Sequence, residues 1–146
     1  MIEVREATAE DLATVLALYA QPDLDNGQSL LLEDAEAVFD RMRAYPDYRL
    51  YVAEVNGQVA GTFTLIVMEN LSHRGAPSAV VESVAVDPGH QGHGVGSAMM
   101  EYARAYCRAR GCYKMQLSSN LRRERAHDFY DGLGFTQHGY SFRVAP

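Results

Sequence analysis

A glycine-rich turn between a strand and a helix lets backbone amides, rather than side chains, do the binding. Val86-Asp87-Pro88-Gly89-His90-Gln91-Gly92-His93-Gly94-Val95-Gly96-Ser97 is such a stretch, with four glycines in the eight residues from Gly89 to Gly96. It follows the apolar run Ala79 to Val86, which reads as a buried strand. It precedes Val95, Met99, Tyr102 or Ala103, and Tyr106 at helical spacing. A helix start leaves N–H groups unpaired and carries the positive end of the helix dipole. Without side chains at Gly92, Gly94 and Gly96, a phosphate can approach the main chain. The alternative is a tight turn that only needs positive φ; the position between strand and helix favours anion binding.

Spacing tests which phosphate. A P-loop needs Lys-Ser/Thr after its last glycine, and Val95-Gly96 stands there instead. The dinucleotide fingerprint G-x-G-x-x-G/A fails from either start, because Ser97 or Met99 occupies the last position. This excludes the usual nicotinamide and ATP-binding loops.

Gln91-x-x-Gly94-x-Gly96, preceded by Val84-x-Val86-x-Pro88, resembles the pyrophosphate-binding motif of the GNAT superfamily, the N-acyltransferases that use acetyl-CoA. Ala126-His127-Asp128-Phe129-Tyr130-Asp131-Gly132-Leu133-Gly134-Phe135 is similar to that superfamily's second hallmark, A-x-x-F-Y-x-x-x-G-F. The resemblance runs from about Leu50 to Phe135. It implies a mixed α/β fold with a mostly antiparallel central sheet and helices on both faces. It also implies transfer of an acetyl group from acetyl-CoA to a primary amine of a small molecule. The amides of Gln91, Gly92, Gly94, Val95, Gly96 and Ser97 would meet the pyrophosphate. The backbone of Val84, Ala85 and Val86 would hold the pantetheine arm and the oxyanion.

Acyl transfer to an amine needs a base for the amine, a stabilised oxyanion and a proton for the departing thiolate. Tyr130 is the acid that the resemblance implies; on its own residues it is equally an apolar-face tyrosine beside Ala126, Phe129 and Leu133. Glu82 is the candidate base. In a regular strand it shares a face with Val80, Val84 and Val86, where a lone carboxylate is costly unless used or paired. A strand bulge, usual in the family, would change that facing. Many family members carry Asn three or four residues before the motif alanine, where this chain has Arg122 and Arg123. Asn120 would then contact the arm, and Arg123 would contact a CoA phosphate or sit solvated at a helix start. His93 occupies a position often basic in the family; it is a phosphate contact or an exposed turn histidine.

These residues need elements to position them. The first is a short strand, Ile2 to Arg5. Thr8 and Asp11 then open a helix with Leu12, Val15, Leu16 and Tyr19 on one face. After the breaker Gln21 to Gly27, a second helix carries Leu32, Ala35, Val38, Phe39 and Met42 and ends before Pro46. Asn56-Gly57 joins two strands as a hairpin. Gly111 ends the helix that the glycine turn starts, a strand runs from Tyr113 to Ser118, and a helix reaches Leu133. A last strand is expected from Phe135 to Val144, its exposed edge offering a homodimer contact. The resemblance implies an acceptor pocket formed by residues 19–31 and 70–78, with Asp23 and Asp25 favouring a cationic amine and His73 and Arg74 available to an anionic group.

At 146 residues the chain suits one domain, 1–146. A formal charge of −6 argues against nucleic acid as partner. No apolar run spans a bilayer and the N-terminus lacks a signal-peptide plan, so a cytoplasmic location is expected. The histidines and the two cysteines, Cys107 and Cys112, lack metal-ligand spacing, so no metal is expected. Residues 117–143 are similar to bacterial aminoalkylphosphonate N-acetyltransferases, which implies a small, phosphonate-bearing amine as one acceptor class. A non-catalytic acyl-CoA-binding domain and a protein or peptide N-acetyltransferase are the alternatives.

Overall fold

Asn56 and Gly57 take φ of 50° and 83°, the paired left-handed conformation of a two-residue hairpin turn. The turn joins β2 (Tyr48–Val55) to β3 (Gln58–Met68) and sets a register running from Val55 opposite Gln58 to Tyr48 opposite Ile66. The computed structural model describes residues 1–22, 24–119 and 123–146. By its contacts the chain divides into two units, Met1–Gln116 and Leu117–Pro146.

In the first unit the hairpin lies at the centre of a five-stranded sheet ordered β1-β2-β3-β4-β5. β1 (Ile2–Glu6) pairs antiparallel with β2, and β4 (Ser78–Val86) pairs antiparallel with β3. β5 (Lys114–Leu117) completes the order beside β4. The sheet is mostly antiparallel and mixed with helices, as the sequence leads one to expect.

Alternation along β2 and β3 gives the sheet two apolar faces. Leu50 and Val52 face α1 (Leu12–Tyr19) and α2 (Leu32–Arg43), packing with Ala7, Leu12, Val15, Ala35 and Phe39. Leu16 and Tyr19 pack partly buried against this cluster, and Leu18 is buried too, which the helical spacing did not single out. Gly61, Phe63 and Leu65 serve the other face, where α3 (Val95–Ala109) buries Val95, Met99, Met100, Ala103 and Cys107. Each buried Val, Leu, Phe or Met side chain among these contributes about 1.5–3 kcal/mol of apolar burial. A Cβ placed on Gly61 would lie 2.8 Å from Val95 Cγ1 and 3.0 Å from Met99 Sδ, so the bare backbone there is what lets α3 sit this close.

Thr8 and Asp11 open α1 through a single 3-10 turn, the Asp11 carboxylate accepting from the Thr8 backbone N–H at 2.7 Å. The same carboxylate takes both guanidinium nitrogens of Arg5 at 2.8 and 2.9 Å, while Glu54 accepts from Arg5 at 2.7 Å. This cluster ties the first helix to β1 and β2. Arg5 holds the Asp11 carboxyl below its ordinary value, against the opposing effect of burial.

In the second unit α4 (Glu124–Gly132) ends at Gly134, whose φ of 88° is a left-handed helix stop. Phe135 N–H donates to the Tyr130 carbonyl at 3.0 Å, turning the chain back so that the Phe135 ring meets the Tyr130 ring edge-on at 5.5 Å. The strand expected from Phe135 to Val144 does not form: residues 135–146 contain no strand. Tyr140, Phe142 and Val144 have strand-favouring side chains yet are 88%, 90% and 87% exposed. Propensity without a ladder partner and a buried face does not hold a strand. The strand-edge dimer contact expected there therefore loses its basis. Among the described residues no helix is long and apolar enough to cross a membrane.

Candidate active site

The end of β4 and the start of α3 are joined by the glycine turn. Asp87 begins it, its carboxylate accepting from Gly89 N–H at 3.1 Å and contacting His90 Nδ1 at 2.8 Å. Gln91, Gly92, His93 and Gly94 are exposed, and Gly92 and Gly94 take φ of 80° and 89°. A Cβ on Gly92 would meet nothing within 4 Å, so the space above the turn is open. Gly94 caps α3, and the first helical bond runs from Ala98 N–H to the Gly94 carbonyl at 3.0 Å. The amides of Val95, Gly96 and Ser97 therefore have no acceptor within the helix, and they sit at its positive end. An open, left-handed glycine turn leading into such amides fits a pyrophosphate, so the residues present suit acetyl-CoA. Gly96, unlike Gly92 and Gly94, is not among the residues with positive φ.

β4 carries a bulge that decides where Glu82 faces. Thr64 pairs with Glu82 but Thr62 pairs with Ala85, so Ser83 and Val84 drop out of the β3 ladder. Ser83 absorbs the extra residue with φ of 53°, a costly value for a non-glycine residue and one often kept for function. Because Thr62 and Thr64 share a face, Glu82, Ala85 and Val80 lie on the α1 and α2 side. Val86 pairs with Gly61 and lies on the α3 side. A regular strand would have grouped Glu82 with Val84 and Val86; the bulge breaks that grouping. Glu82 is also exposed, so its carboxylate is hydrated rather than buried among valines.

The Val86 carbonyl accepts from two side-chain amides, Gln21 Nε2 at 3.1 Å and Gln91 Nε2 at 3.3 Å. Gln21 pins the loop after α1 to the end of β4, a link that no spacing rule signalled. Of the three backbone positions expected to hold the pantetheine arm, Ala85 remains in the ladder, Val84 leaves it and Val86 has a doubly engaged carbonyl.

Between α1, α2 and the sheet lies a cavity of about 280 Å³. Its apolar wall includes Leu12, Val15, Leu16, Val38, Phe39 and Met42, and its polar lining includes Tyr19, Asp25, Gln28, Ser29, Thr64 and Ser83. This is the segment from Tyr19 to Leu31 that the sequence marks for the acceptor. Asp23 lies outside the described residues. The loop of residues 70–78, expected to share in this pocket, takes no part in its lining; the His73 ring stacks on Tyr113 at 3.8 Å instead. Ser83 lines the cavity; Glu82 precedes it on β4 and is not among the lining residues. The Tyr19 hydroxyl is buried close to the Thr62 and Ser83 hydroxyls, and burial pushes its pKa up to about 12 against the opposing effect of these two neighbours.

A larger hollow of about 720 Å³ is bordered by Tyr51, Tyr102 and Tyr106. Its charges are matched within the protein, Glu6 with Arg49 at 3.4 Å and Asp47 with Arg110 and the Tyr106 hydroxyl. None of the residues singled out for chemistry borders it.

In the second unit Tyr130 is 8% exposed, enclosed by Phe129 and Phe135. Burial raises its pKa, and the positive charge of Arg123 opposes that rise. Arg123 is the N-cap residue of α4, its carbonyl accepting from His127 N–H at 3.1 Å. Asn120 and Arg122 lie outside the described residues.

Known proteins resemble this chain over nearly its whole length. The chain is 30% identical to an aminoalkylphosphonate N-acetyltransferase of Salmonella typhimurium, over 98% of its own length and 90% of the relative's. It is 27% identical to a glucosamine 6-phosphate N-acetyltransferase of Trypanosoma brucei brucei, over 98% and 95% of the two chains. A solved structure from Agrobacterium tumefaciens str. C58 superimposes with a TM-score of 0.91 at 30% identity, covering 99% of both chains. The model of the acetyltransferase (GNAT) family matches residues 13–135, a span that includes α2, the glycine turn and α4, and the chain belongs to that family.

Proposed function

We propose that this acetyltransferase moves the acetyl group of acetyl-CoA directly to a primary amine held in the cavity between α1 and α2. The observation that carries this reading is the adjacency on one strand of a bulge and a phosphate-type turn. Ser83 lines the cavity one residue after Glu82, and four residues beyond Ser83 the strand passes into the turn whose amides suit a pyrophosphate. Relatives named for glucosamine 6-phosphate and aminoalkylphosphonates act on small amines, which supports a small-molecule acceptor.

Acetyl-CoA supplies the activated carbonyl; the C–N bond forms as the C–S bond breaks. The amine proton passes to Glu82, through water given the exposure of that carboxylate. Tyr130 gives a proton to the departing sulfur. Its burial favours the protonated phenol that this role needs, and proton return from solvent resets it. The backbone of β4 from Val84 to Val86 holds the pantetheine arm. The amides of Gln91, Gly92, Gly94, Val95, Gly96 and Ser97 take the pyrophosphate, with His93, Asn120 and Arg123 as further contacts. In this reading residues 1–146 work as one catalytic domain in the cytoplasm.

The test is CoASH release from acetyl-CoA over a panel of primary amines, with mass spectrometry of the acceptor. The expected result is stoichiometric CoASH and a singly acetylated amine. Acetyl-CoA binding by calorimetry without release in the presence of any amine would instead make this a non-catalytic acyl-CoA-binding domain.

A further inference from the structure

The acceptor relatives carry an acidic phosphorus group, which calls for arginine or lysine around it. The cavity here offers neither: among the described residues its lining contains no arginine, lysine or histidine, and its one charged side chain is Asp25. Most of its wall is aliphatic or aromatic, from Leu12 and Leu16 on α1 to Val38, Phe39 and Met42 on α2. Desolvating a phosphate or carboxylate against that wall, with Asp25 at its edge, is unfavourable on both counts. An apolar body gains from the same wall.

Ser83 stands at the bulge beside Glu82, and the buried Tyr19 hydroxyl lies close to the Ser83 and Thr62 hydroxyls. In a mostly apolar cavity such hydroxyls are the groups that an amine can meet by hydrogen bonding.

Building on the proposed acetyl transfer, we infer that the acceptor is a small primary amine on an apolar alkyl or aryl body, without phosphate, phosphonate or carboxylate. The Tyr19 hydroxyl meets its amino group beside Glu82. A cavity of about 280 Å³ suits a compact amine.

The test compares kcat/KM for hexylamine and phenethylamine with that for aminoethylphosphonate and a phosphorylated amino sugar, using the full chain. Calorimetry of acetyl-CoA binding runs in parallel. Apolar amines are expected to lead by at least about 10-fold, which corresponds to about 1.4 kcal/mol. Tyr19→Phe, isosteric and fold-preserving, is expected to raise the amine KM about 5-fold or more while leaving the acetyl-CoA Kd unchanged. Faster turnover of the phosphorylated or phosphonate amines overturns this acceptor class while leaving acetyl transfer standing. An unchanged amine KM in Tyr19→Phe overturns the role of Tyr19. Absence of both acetyl-CoA binding and CoASH release overturns the acetyl-transfer reading, and the acceptor class with it.

Discussion

Gly61 and Val95 are in contact across the sheet–helix interface so closely that a single methyl group at Gly61 would stand 2.8 Å from Val95 Cγ1. Gly61 also pairs with Val86, the last residue of β4 before the glycine turn. One backbone position thus sets the seat of α3 and lies beside the strand end that leads into it. The amides proposed to hold the pyrophosphate are fixed from both sides by this packing.

Gly61→Ala should therefore act on both stability and binding. Overpacking of this kind costs about 1–3 kcal/mol, read as a lower urea midpoint. The shift of α3 should also weaken acetyl-CoA binding in calorimetry. A variant with wild-type stability and affinity would show that α3 yields without consequence.

The glycines of the turn are separable by backbone conformation. Gly94 sits at φ of 89°, so a β-branched residue there strains the backbone as well as crowding the ligand. Gly96 lies in the first turn of α3 and lacks positive φ. Gly96→Val should weaken acetyl-CoA binding about 10-fold or more with the melting temperature nearly unchanged, whereas Gly94→Val should lower both. Equal acetyl-CoA affinity in Gly96→Val and wild type would remove the phosphate from this turn.

Asp11 links acid stability to the first helix. Its folded-state pKa lies below the ordinary 3.8 because of Arg5. Its contribution is therefore complete above the unfolded value and is lost as pH falls through the lowered folded value. Asp11→Asn should cost about 1.5–3 kcal/mol at neutral pH, the scale of hydrogen bonds to charged groups. The gap from wild type should narrow as both are titrated in acid. Urea denaturation at several pH values checks this; a gap independent of pH would assign the effect to packing.

The parts of the fold legible in the sequence are those governed by local rules. Asn56-Gly57 specifies its hairpin through left-handed backbone preference, and the glycine turn announces a strand-to-helix junction by composition alone. The bulge at Ser83 was not specified that way. Period-two reasoning assumes one residue opposite one residue, and Phe63 faces a stretch of β4 with one too many. The facing of Glu82 depended on it, and only the family resemblance, not the residue pattern, raised the bulge. The closeness of Gly61 to Val95 is a contact between distant segments, which no window of sequence displays. The place of the Tyr19 hydroxyl beside Thr62 and Ser83 was hidden for a related reason: helical spacing predicts which way a side chain points, not what its polar tip finds there. At the C-terminus the opposite fault occurred, since Tyr140, Phe142 and Val144 favour strand locally but form no ladder.

The most direct test of the account is steady-state kinetics of Glu82→Gln and Tyr130→Phe with acetyl-CoA and an accepted amine, beside calorimetric acetyl-CoA affinities. General acid–base roles predict that each substitution lowers kcat about 100-fold or more, with the acetyl-CoA Kd changed less than about 2-fold. The phenol of Tyr130, raised by burial, keeps its proton beyond the ordinary value of 10.0, so any alkaline loss of kcat that it governs falls above that pH. Wild-type kcat in both variants would contradict the proposed proton transfers and leave Tyr130 as core and Glu82 as surface.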